Sequence, residues 1–382
     1  MATAAGFLTK AAIRREALVA TPTWPGAAPA AADVLLPMLS HDVDERAAWS
    51  SHARLSPAVG RQAGTQRARR VTGPMSLEAT YNGLAVLWAL ALGRQAYRIG
   101  GTDNPETLAA GAYQHTLEID PAHHSHAWEL GCGVELGDGV DVGQQLARRC
   151  TLAIDHQVSC WEFLSGMVNT FALSASPTDC TIEITWRGHS LDQASGTNGD
   201  LDAVTQPDWV PIQFHELEFR IGAYSDSAAL DGDDAIAITE FRLEIDNHLE
   251  MRQTEASGLY PGEPKRTEPV TITGGFVAPR YEADTLKAWA RANTALMASA
   301  VFTGPQIAAT GEFYELAIWL PTITLTISNM DTGSADMQRQ AFSFEATSPS
   351  AAAAGMPSVQ DDESPLIVQV TDEDSTKPLW AA

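Results

Sequence analysis

Alternating apolar and polar residues between positions 150 and 186 predict three neighbouring β-strands. In the last of them, residues 180–186 (CTIEITW), every second side chain is apolar and the side chains between are polar. This period of two is typical of a strand with one buried and one wet face. Residues 150–154 and 161–173 are rich in Thr, Ile, Val and Phe, and Ser-Pro-Thr-Asp at 176–179 predicts a turn.

The same order of elements recurs in the second half of the chain. In the first half a strand at 71–80 and a helix at 81–92, closed by Gly93 as a C-cap, precede the strands described above. Their predicted counterparts are a strand at 270–278, a helix at 281–293, and strands at 313–328 and 338–347. We therefore expect a mainly β protein built from two tandem β-barrel or sandwich units, each with a flanking α-helix.

The expected domain boundaries follow from this repeat. The first unit spans 1–195 with an insertion at 94–146, the second spans 196–348, and an acidic tail spans 349–382. Residues 8–19 are expected to form a short arm or helix. The tail is of low complexity, which indicates mobility, but its apolar run 366–370 (LIVQV) is suited to adding a strand to a neighbour's sheet edge.

Length and composition favour a folded protein of the cytoplasm. A chain of 382 residues with 45% hydrophobic content can form two cores. No apolar run approaches the ~20 residues of a membrane helix, and the first residues lack the pattern of a secretory signal. The cysteines form no CxxC pair, so buried free thiols are expected rather than disulfides. They are Cys132, Cys150, Cys160 and Cys180.

The net charge of −24 argues against tight binding of nucleic acid. It leaves open an acidic surface past which DNA slides without being held. Residues 54–70 form a basic island without any acidic residue, and its candidate contact residues are Arg61, Arg67, Arg69 and Arg70. Two interpretations remain open: a solvated hairpin loop, or an arm that reaches an acidic surface on a neighbouring subunit.

No catalytic or cofactor motif is present in a usable setting. GxSxG, GxGxxG, a P-loop and HExxH are absent or lack the required context, so we expect no catalytic residue and no cofactor. His123, His124 and His126 beside Cys132 are of the residue types that bind zinc. Because they lie in a loop-like stretch of the insertion, we expect no structural metal site.

Several segments together resemble the tail tube proteins of long-tailed phages and related viruses. The resemblance extends over residues 10–192 and, more faintly, 236–348. It rests on Tyr113-Gln-His-Thr-Leu-Glu-Ile, Cys150-Thr-Leu-Ala-Ile-Asp, Gly166-Met-Val-Asn-Thr-Phe-Ala-Leu-Ser, Cys180-Thr-Ile-Glu-Ile-Thr-Trp-Arg-Gly, Arg14-Arg-Glu, and Gly73-Pro-Met-Ser-Leu-Glu-Ala before the helix.

This resemblance implies a structural virion protein, assembled in the host cytoplasm, whose rings stack into a hollow tail tube. Family members with two fused units form trimeric rings that imitate a hexamer. Genomic DNA would pass through the channel without specific binding, other tail proteins would bind the tube ends, and no membrane would be involved. A long loop, here 49–69 with 249–267 as its counterpart, would reach the adjacent ring. The contact residues would be Arg61, Arg67 and Arg69 in this loop and Arg70 directly after it.

Two other functions remain as alternatives. The first is another ring-forming tail component, of the terminator or baseplate-hub type. The second is a two-domain carbohydrate-binding β-sandwich that uses exposed tryptophans as stacking platforms, against which the missing secretory signal argues. An enzyme has the least support from the residues.

Overall fold

A computed structural model defines how most of the chain folds. It describes residues 9–15, 34–50, 65–95, 106–119, 149–193, 196–198, 201–204, 207–253, 258–262, 264–279, 284–308, 310–327, 339–357 and 364–373. Two helices are present in these ranges, α1 (Leu84–Leu92) and α2 (Thr285–Ala292).

The strands dominate both halves of the chain. Those of the first half are β1 (Lys10–Arg15), β2 (Val34–Leu36), β3 (Met38–His41), β4 (Asp44–Ser50), β5 (Thr65–Glu78), β6 (Gly93–Gln95), β7 (Glu106–Ala109), β8 (Ala112–Ile119), β9 (Cys150–Asp155), β10 (Cys160–Ala175), β11 (Cys180–Gly188) and β12 (Ser190–Asp192). Those of the second half are β13 (Leu217–Ala223), β14 (Glu240–Asp246), β15 (Leu249–Glu250), β16 (Lys265–Arg266), β17 (Thr271–Ala278), β18 (Leu296–Gln306), β19 (Phe313–Ile327), β20 (Gln340–Ala346) and β21 (Ile367–Asp372). The mainly β fold expected from the sequence is confirmed.

The N-terminal segment differs from its prediction. Residues 10–15 form strand β1 rather than a helix, and β1 lies between β2 and β9, antiparallel to both. Its side chains Ala11, Ala12 and Ile13 are fully buried. Pairing on both sides satisfies the hydrogen-bonding groups of the backbone and buries three successive apolar residues. This stabilisation outweighs the local helix propensity of alanine and arginine.

Two long strands, β10 and β19, each change their pairing partners along their length. The first part of β10 pairs with β9 and β12, and its second part pairs with β11 and β14. The change falls between Gly166, the last residue paired with β9, and Met167, the first residue paired with β11. In the same way β19 pairs first with β18 and β21 and then with β20. Such bending strands allow two sheet layers to enclose a core.

The order of antiparallel pairings occurs twice along the chain. In the first half β3, β5, β11 and β10 are successive neighbours, and in the second half β14, β17, β20 and β19 are. The outer layers repeat as well, with β1–β9–β10 matched by β13–β18–β19. Because β10 also pairs with β14, the two sets form one continuous sheet. The buried side chains of both halves form one large cluster, and the division into units at residue 195 stays a prediction.

The two helices follow equivalent strands but differ in burial. All residues of α1 are buried, and the helix packs against β6, β8, β10 and β21. Gly93 ends it in the left-handed conformation (φ 86°), and its N–H bonds the Ala89 carbonyl, as expected of a C-cap. In contrast α2, which packs against β19, has no fully buried residue.

The C-terminal tail contributes a strand to its own chain, so the expectation that 366–370 joins a neighbour's sheet is wrong. Strand β21 lies between β8 and β19 and is antiparallel to both. Leu366, Val368 and Val370 are fully buried. Both edges of β21 are thus paired within the chain, and the buried apolar residues stabilise this part of the tail in place.

Asn247 connects elements from both halves at the point where β10 meets β14. It is 1% exposed. Its Nδ2 donates to the carbonyls of Ala91, at the end of α1, and Val168, at 2.9 and 3.1 Å. Its Oδ1 accepts a hydrogen bond from Arg266 Nη2 at 2.8 Å. A single amide therefore satisfies a helix-end carbonyl and a strand carbonyl that have no access to water.

Replacing Asn247 by Ala should destabilise the isolated subunit. Two buried carbonyls lose their side-chain donor, which lowers the free energy of unfolding by about 2–4 kcal/mol. Urea denaturation of dispersed subunits measures this loss. Ser343→Ala, an exposed change on β20, is the control and should stay within about 0.5 kcal/mol of the unchanged protein. Equal midpoints for Asn247→Ala and Ser343→Ala would refute the role of this amide.

Candidate assembly surface

The continuous sheet has one dry and one wet face across seven strands, in the spatial order β5, β11, β10, β14, β17, β20, β19. One dry row consists of residues in register: Leu77, Ile182, Leu173, Leu243, Gly274, Phe344 and Leu325. Gly274 fits because a Cβ there would meet the Phe344 ring at 2.2 Å. The opposite face carries mainly Ser, Thr, Glu and Asp side chains.

Three carboxylates share a single row of this wet face. The row consists of Ser76, Glu183, Ala172, Glu244, Thr273, Glu345 and Thr324. Glu183, Glu244 and Glu345 occupy every second strand, so about 10 Å separates neighbouring carboxylates. That spacing is close to the screening length in physiological salt, so the three side chains repel each other weakly. Glu244 is also ion-paired with Arg242 at 2.9 Å, so the net negative charge of the row comes from Glu183 and Glu345.

Three arginines lie at one end of the wet face, apart from Arg242 on β14, which is ion-paired with Glu244. Arg46 and Arg70 are opposite each other on β4 and β5, and Arg187 follows on β11 opposite Thr72. Arg187 donates to Thr72 Oγ1 at 3.3 Å. Burial, and then the charge of Arg70, lowers the pKa of Arg187. Arg46 forms an exposed ion pair with Asp42 at 2.8 Å, whereas Arg70 is exposed to solvent.

Arg69 is bonded inside its own chain. Its Nη1 lies 3.1 Å from Glu45 Oε1 and 3.5 Å from the Tyr260 hydroxyl, and its backbone N–H bonds the Leu259 carbonyl at 2.8 Å. The bond to Tyr260, followed by the charge of Glu45, raises the pKa of Arg69. Glu45 Oε2 also accepts the Leu191 N–H at 3.0 Å. The Arg69 side chain thus helps hold the β4–β5 hairpin against residues 258–260.

The other three predicted contact residues are Arg61, Arg67 and Arg70. Arg70 is exposed on β5, and Arg67 is on the same strand, although only its backbone is described. Arg61 lies outside the described residues. The two loops treated as counterparts, 49–69 and 249–267, meet through Arg69 and residues 258–260. Sequence spacing does not indicate this contact, because it joins residues about 190 positions apart.

A histidine completes the contact between the loops. The His189 ring stacks on Tyr260 with 4.8 Å between ring centroids and 29° between planes, and its Nδ1 is 2.9 Å from Ser190 Oγ. Burial lowers the pKa of His189 to about 4. At neutral pH the imidazole is therefore uncharged and packs as an aromatic ring.

The described tryptophans and metal-binding residue types give no support to the sugar-binding alternative or to a metal site. Trp88, Trp161, Trp186, Trp209, Trp289 and Trp319, the tryptophans whose burial the structure describes, are buried or half-buried, so none of these six offers the exposed stacking platform that a sugar-binding surface needs. His123, His124, His126 and Cys132 lie outside the described residues. Within the ranges that are described, no group of three His, Cys, Asp or Glu side chains is arranged to hold a metal, and neither helix is long and apolar enough to cross a membrane. Cys150, Cys160 and Cys180 are buried free thiols.

Comparison with known proteins gives one family. A family model described as phage tail tube protein matches residues 6–356, which is nearly the whole chain. No curated protein matches the chain significantly. The matched range includes both sets of repeated strands, the β4–β5 hairpin and the row of glutamates.

Acidification should weaken the contact between the loops. The pKa of His189 in the folded state, about 4, is below its ordinary value of 6.5. The stability that neutral His189 contributes is complete above pH 6.5 and is lost as the pH falls toward 4, because the unfolded chain binds the proton first. His189→Gln should therefore show a smaller loss of unfolding free energy than the unchanged protein between pH 7 and pH 4.5. His215→Gln, an exposed site, is the control, and identical pH profiles for all three proteins would contradict this role.

Proposed function

Because the chain belongs to the phage tail tube protein family, we propose that three copies form a closed ring and that stacked rings form the DNA-conducting tube of a long-tailed virus. The family membership makes the chain a structural component of the virion tail and implies assembly with itself and with other tail proteins. The number of copies in a ring, the stacking and the channel are our proposals.

The repeated order of strand pairings supports a trimer with a pseudo-sixfold interior. We propose that 1–195 and 196–348 are the two units, that 94–146 is an insertion in the first, and that part of the tail, as β21, packs back onto both through β8 and β19. Each chain would then supply two similar sets of four strands, β3–β5–β11–β10 and β14–β17–β20–β19. Three chains give six such sets, and a ring of this kind closes through heterologous contacts.

The wet face of the sheet is our proposed wall of the channel. The observation that carries the proposal is that this face is a continuous polar surface spanning both halves of the chain. It has Glu183, Glu244 and Glu345 in one register row. In a trimer these residues would place nine carboxylates around the bore. Such a wall repels DNA phosphates on all sides, so the genome is kept off the wall and is not held by local ion pairs.

The β4–β5 hairpin is our proposed contact between stacked rings. Arg61, Arg67 and Arg70 would face acidic residues of the adjacent ring, since complementary potentials guide assembly and set its register. Arg69 belongs to the same proposed contact but acts indirectly, because its side chain holds the hairpin against Tyr260 and Glu45. The net charge of −24 on each chain supplies acidic partners for these arginines.

Electron microscopy of the concentrated purified protein tests the function. We expect threefold rings and tubes in which the inner wall has pseudo-sixfold symmetry and Glu183, Glu244 and Glu345 face the bore. A protein that stays monomeric at high concentration, or rings with the wet face turned outward, would overturn the proposal. Rings that never stack would favour a terminator or baseplate-hub component instead.

Changing Arg61, Arg67 and Arg70 together to Ser should weaken stacking while leaving single rings intact. Tubes of the variant should be shorter than normal tubes, and added salt should shorten normal tubes toward the same length, because exposed charge pairs are screened. The control is Arg220→Ser with Arg291→Ser, which removes two arginines from elements away from the hairpin. Tube length from micrographs over a salt series is the measurement, and tubes of normal length and salt response in the triple variant would refute the contact.

A further inference from the structure

A cavity of about 390 Å³ lies between α2 and the dry side of the sheet. The buried side chains of Ile221, Gln340 and Phe342 form its floor, and Leu286 and Trp289 of α2 form one wall. The lining residues that are exposed to solvent mark its mouth: Asp233, Ala235, Ala237 and Thr285. This volume lies within the range of ~300–1,000 Å³ that is typical of ligand pockets.

The corresponding space beside the first turn of α1 is nearly filled. It measures about 10 Å³, and Leu36, Leu84 and Leu87 are among the residues that line it. α1 is also enclosed by β6, β8 and β21, whereas α2 has no fully buried residue. Since core packing in this repeat can fill the space beside a helix, as it does at α1, the open cavity at α2 is suited to an occupant from outside the chain.

The floor of the cavity carries a buried donor without an acceptor. Gln340 is 3% exposed, and its Nε2 has no hydrogen-bond partner among the described residues. A buried donor that is left unpaired is costly, because burial removes it from solvent and no protein acceptor replaces the solvent. An occupant that places a carbonyl oxygen on the floor of the cavity would satisfy this amide.

Negative charge lies at the mouth of the cavity. Asp233 is exposed, Asp234 is half-buried, and none of the described lining residues is basic. The turn that carries them is held by hydrogen bonds from the Asp233 N–H to Asp231 Oδ1 and from the Asp231 N–H to Asp234 Oδ2. A cation that enters here is attracted by two neighbouring carboxylates and by the ring of Trp289.

The floor, the walls and the mouth together match an arginine in a peptide segment. The guanidinium of arginine binds carboxylates and stacks on aromatic rings. Its aliphatic stem and a neighbouring leucine suit the apolar walls, and the peptide backbone supplies the carbonyl for Gln340. Lysine fits less well, because its compact ammonium group lacks the planar geometry for stacking and for binding carboxylates through paired hydrogen bonds.

We propose that the cavity beneath α2 binds an arginine-bearing peptide segment of a second virion protein, with the guanidinium at Asp233 and Asp234 and a backbone carbonyl at Gln340. The floor belongs to the dry face, because Phe342 and Phe344 are buried on the same side of β20. If the wet face lines the channel, the cavity lies on the side of the sheet away from the DNA, where a partner outside the tube would bind. In this last point the inference rests on the proposed function.

A short labelled peptide tests the cavity in dispersed subunits of the full chain. The pentapeptide ALRLA, acetylated and amidated, should bind saturably when its fluorescence anisotropy is followed. The same peptide with citrulline in place of arginine should bind about tenfold more weakly, because citrulline has the shape of arginine without its charge. Asp233→Asn with Asp234→Asn should weaken binding of ALRLA by a similar factor. Asp208→Asn with Asp226→Asn removes the same charge from exposed sites outside the cavity and should leave the affinity unchanged.

Gln340→Leu separates a binding role of this amide from a structural one. The variant should bind both peptides several-fold more weakly, because the peptide carbonyl loses its donor. Its urea unfolding midpoint should equal or exceed that of the unchanged protein, because leucine removes an unpaired buried donor while filling a similar volume. A variant that unfolds at lower urea and binds both peptides as the unchanged protein does would contradict the assigned role.

The outcomes distinguish this inference from the proposed function. Equal binding of the two peptides, or no saturable binding up to about 1 mM, would overturn the inference and leave ring formation untouched. Binding to dispersed subunits that disappears in assembled tubes would show that a second copy fills the cavity, which also overturns it. Failure to form rings would refute the proposed function without changing the binding results.

The chain's own residues 374–382, which lie outside the described residues, are the remaining possible occupant. They include Lys377 and Trp380. If they filled the cavity, Lys377→Glu with Trp380→Ala would remove a competitor and strengthen binding of ALRLA. We expect unchanged affinity in this variant, and stronger binding would overturn the assignment to a second protein.

Discussion

Antiparallel pairing of β10 with β14 is the interaction on which the rest of the structure depends. These strands come from different halves of the chain, and their six residue pairs join two similar sets of strands into one sheet. Burial of Phe171, Leu173, Leu243 and Ile245 on the dry side fixes the register, because a slip by one residue would turn every apolar side chain toward water. Asn247 then satisfies the carbonyls of Ala91 and Val168 where α1 approaches this junction.

The two halves repeat the same pairings but surround their helices differently. α1 is enclosed because β6 and β8, from the insertion, and β21, from the tail, cover it. No such strands accompany α2 in the second half of the described chain. Its sequence is correspondingly amphipathic: Leu286 and Trp289 pack against the core, and the helix also carries the charged residues Lys287 and Arg291. Insertion and tail therefore make the first half more enclosed, and β21 connects it to the second half through β19.

Charge is distributed unevenly over the wet face. For the proposed contacts with DNA and with a neighbouring ring, this distribution matters more than the net charge of −24. The carboxylates of Glu183, Glu244 and Glu345 occupy one row, whereas Arg70 and Arg187 are near the β4–β5 hairpin. Inside a narrow channel, low-dielectric walls strengthen the field of such a row beyond what the same charges produce on a convex surface. One sheet face would thus combine a repulsive wall for DNA with an attractive end for a neighbouring ring.

Local pattern alone determines many of the strands of this protein and which of their side chains face the core. Alternation in 180–186 predicts the buried and wet residues of β11, and Gly93 marks the end of α1, because both depend on interactions between near neighbours in the chain. Other features depend on which distant strands meet, and only the tertiary structure decides these. They include the alignment of Glu183, Glu244 and Glu345, the bond from Arg69 to Tyr260, the strand at residues 10–15 and the return of β21 to its own chain. Strand registers and edge partners are set by contacts between residues far apart in sequence, and periodicity within one segment carries no information about those contacts.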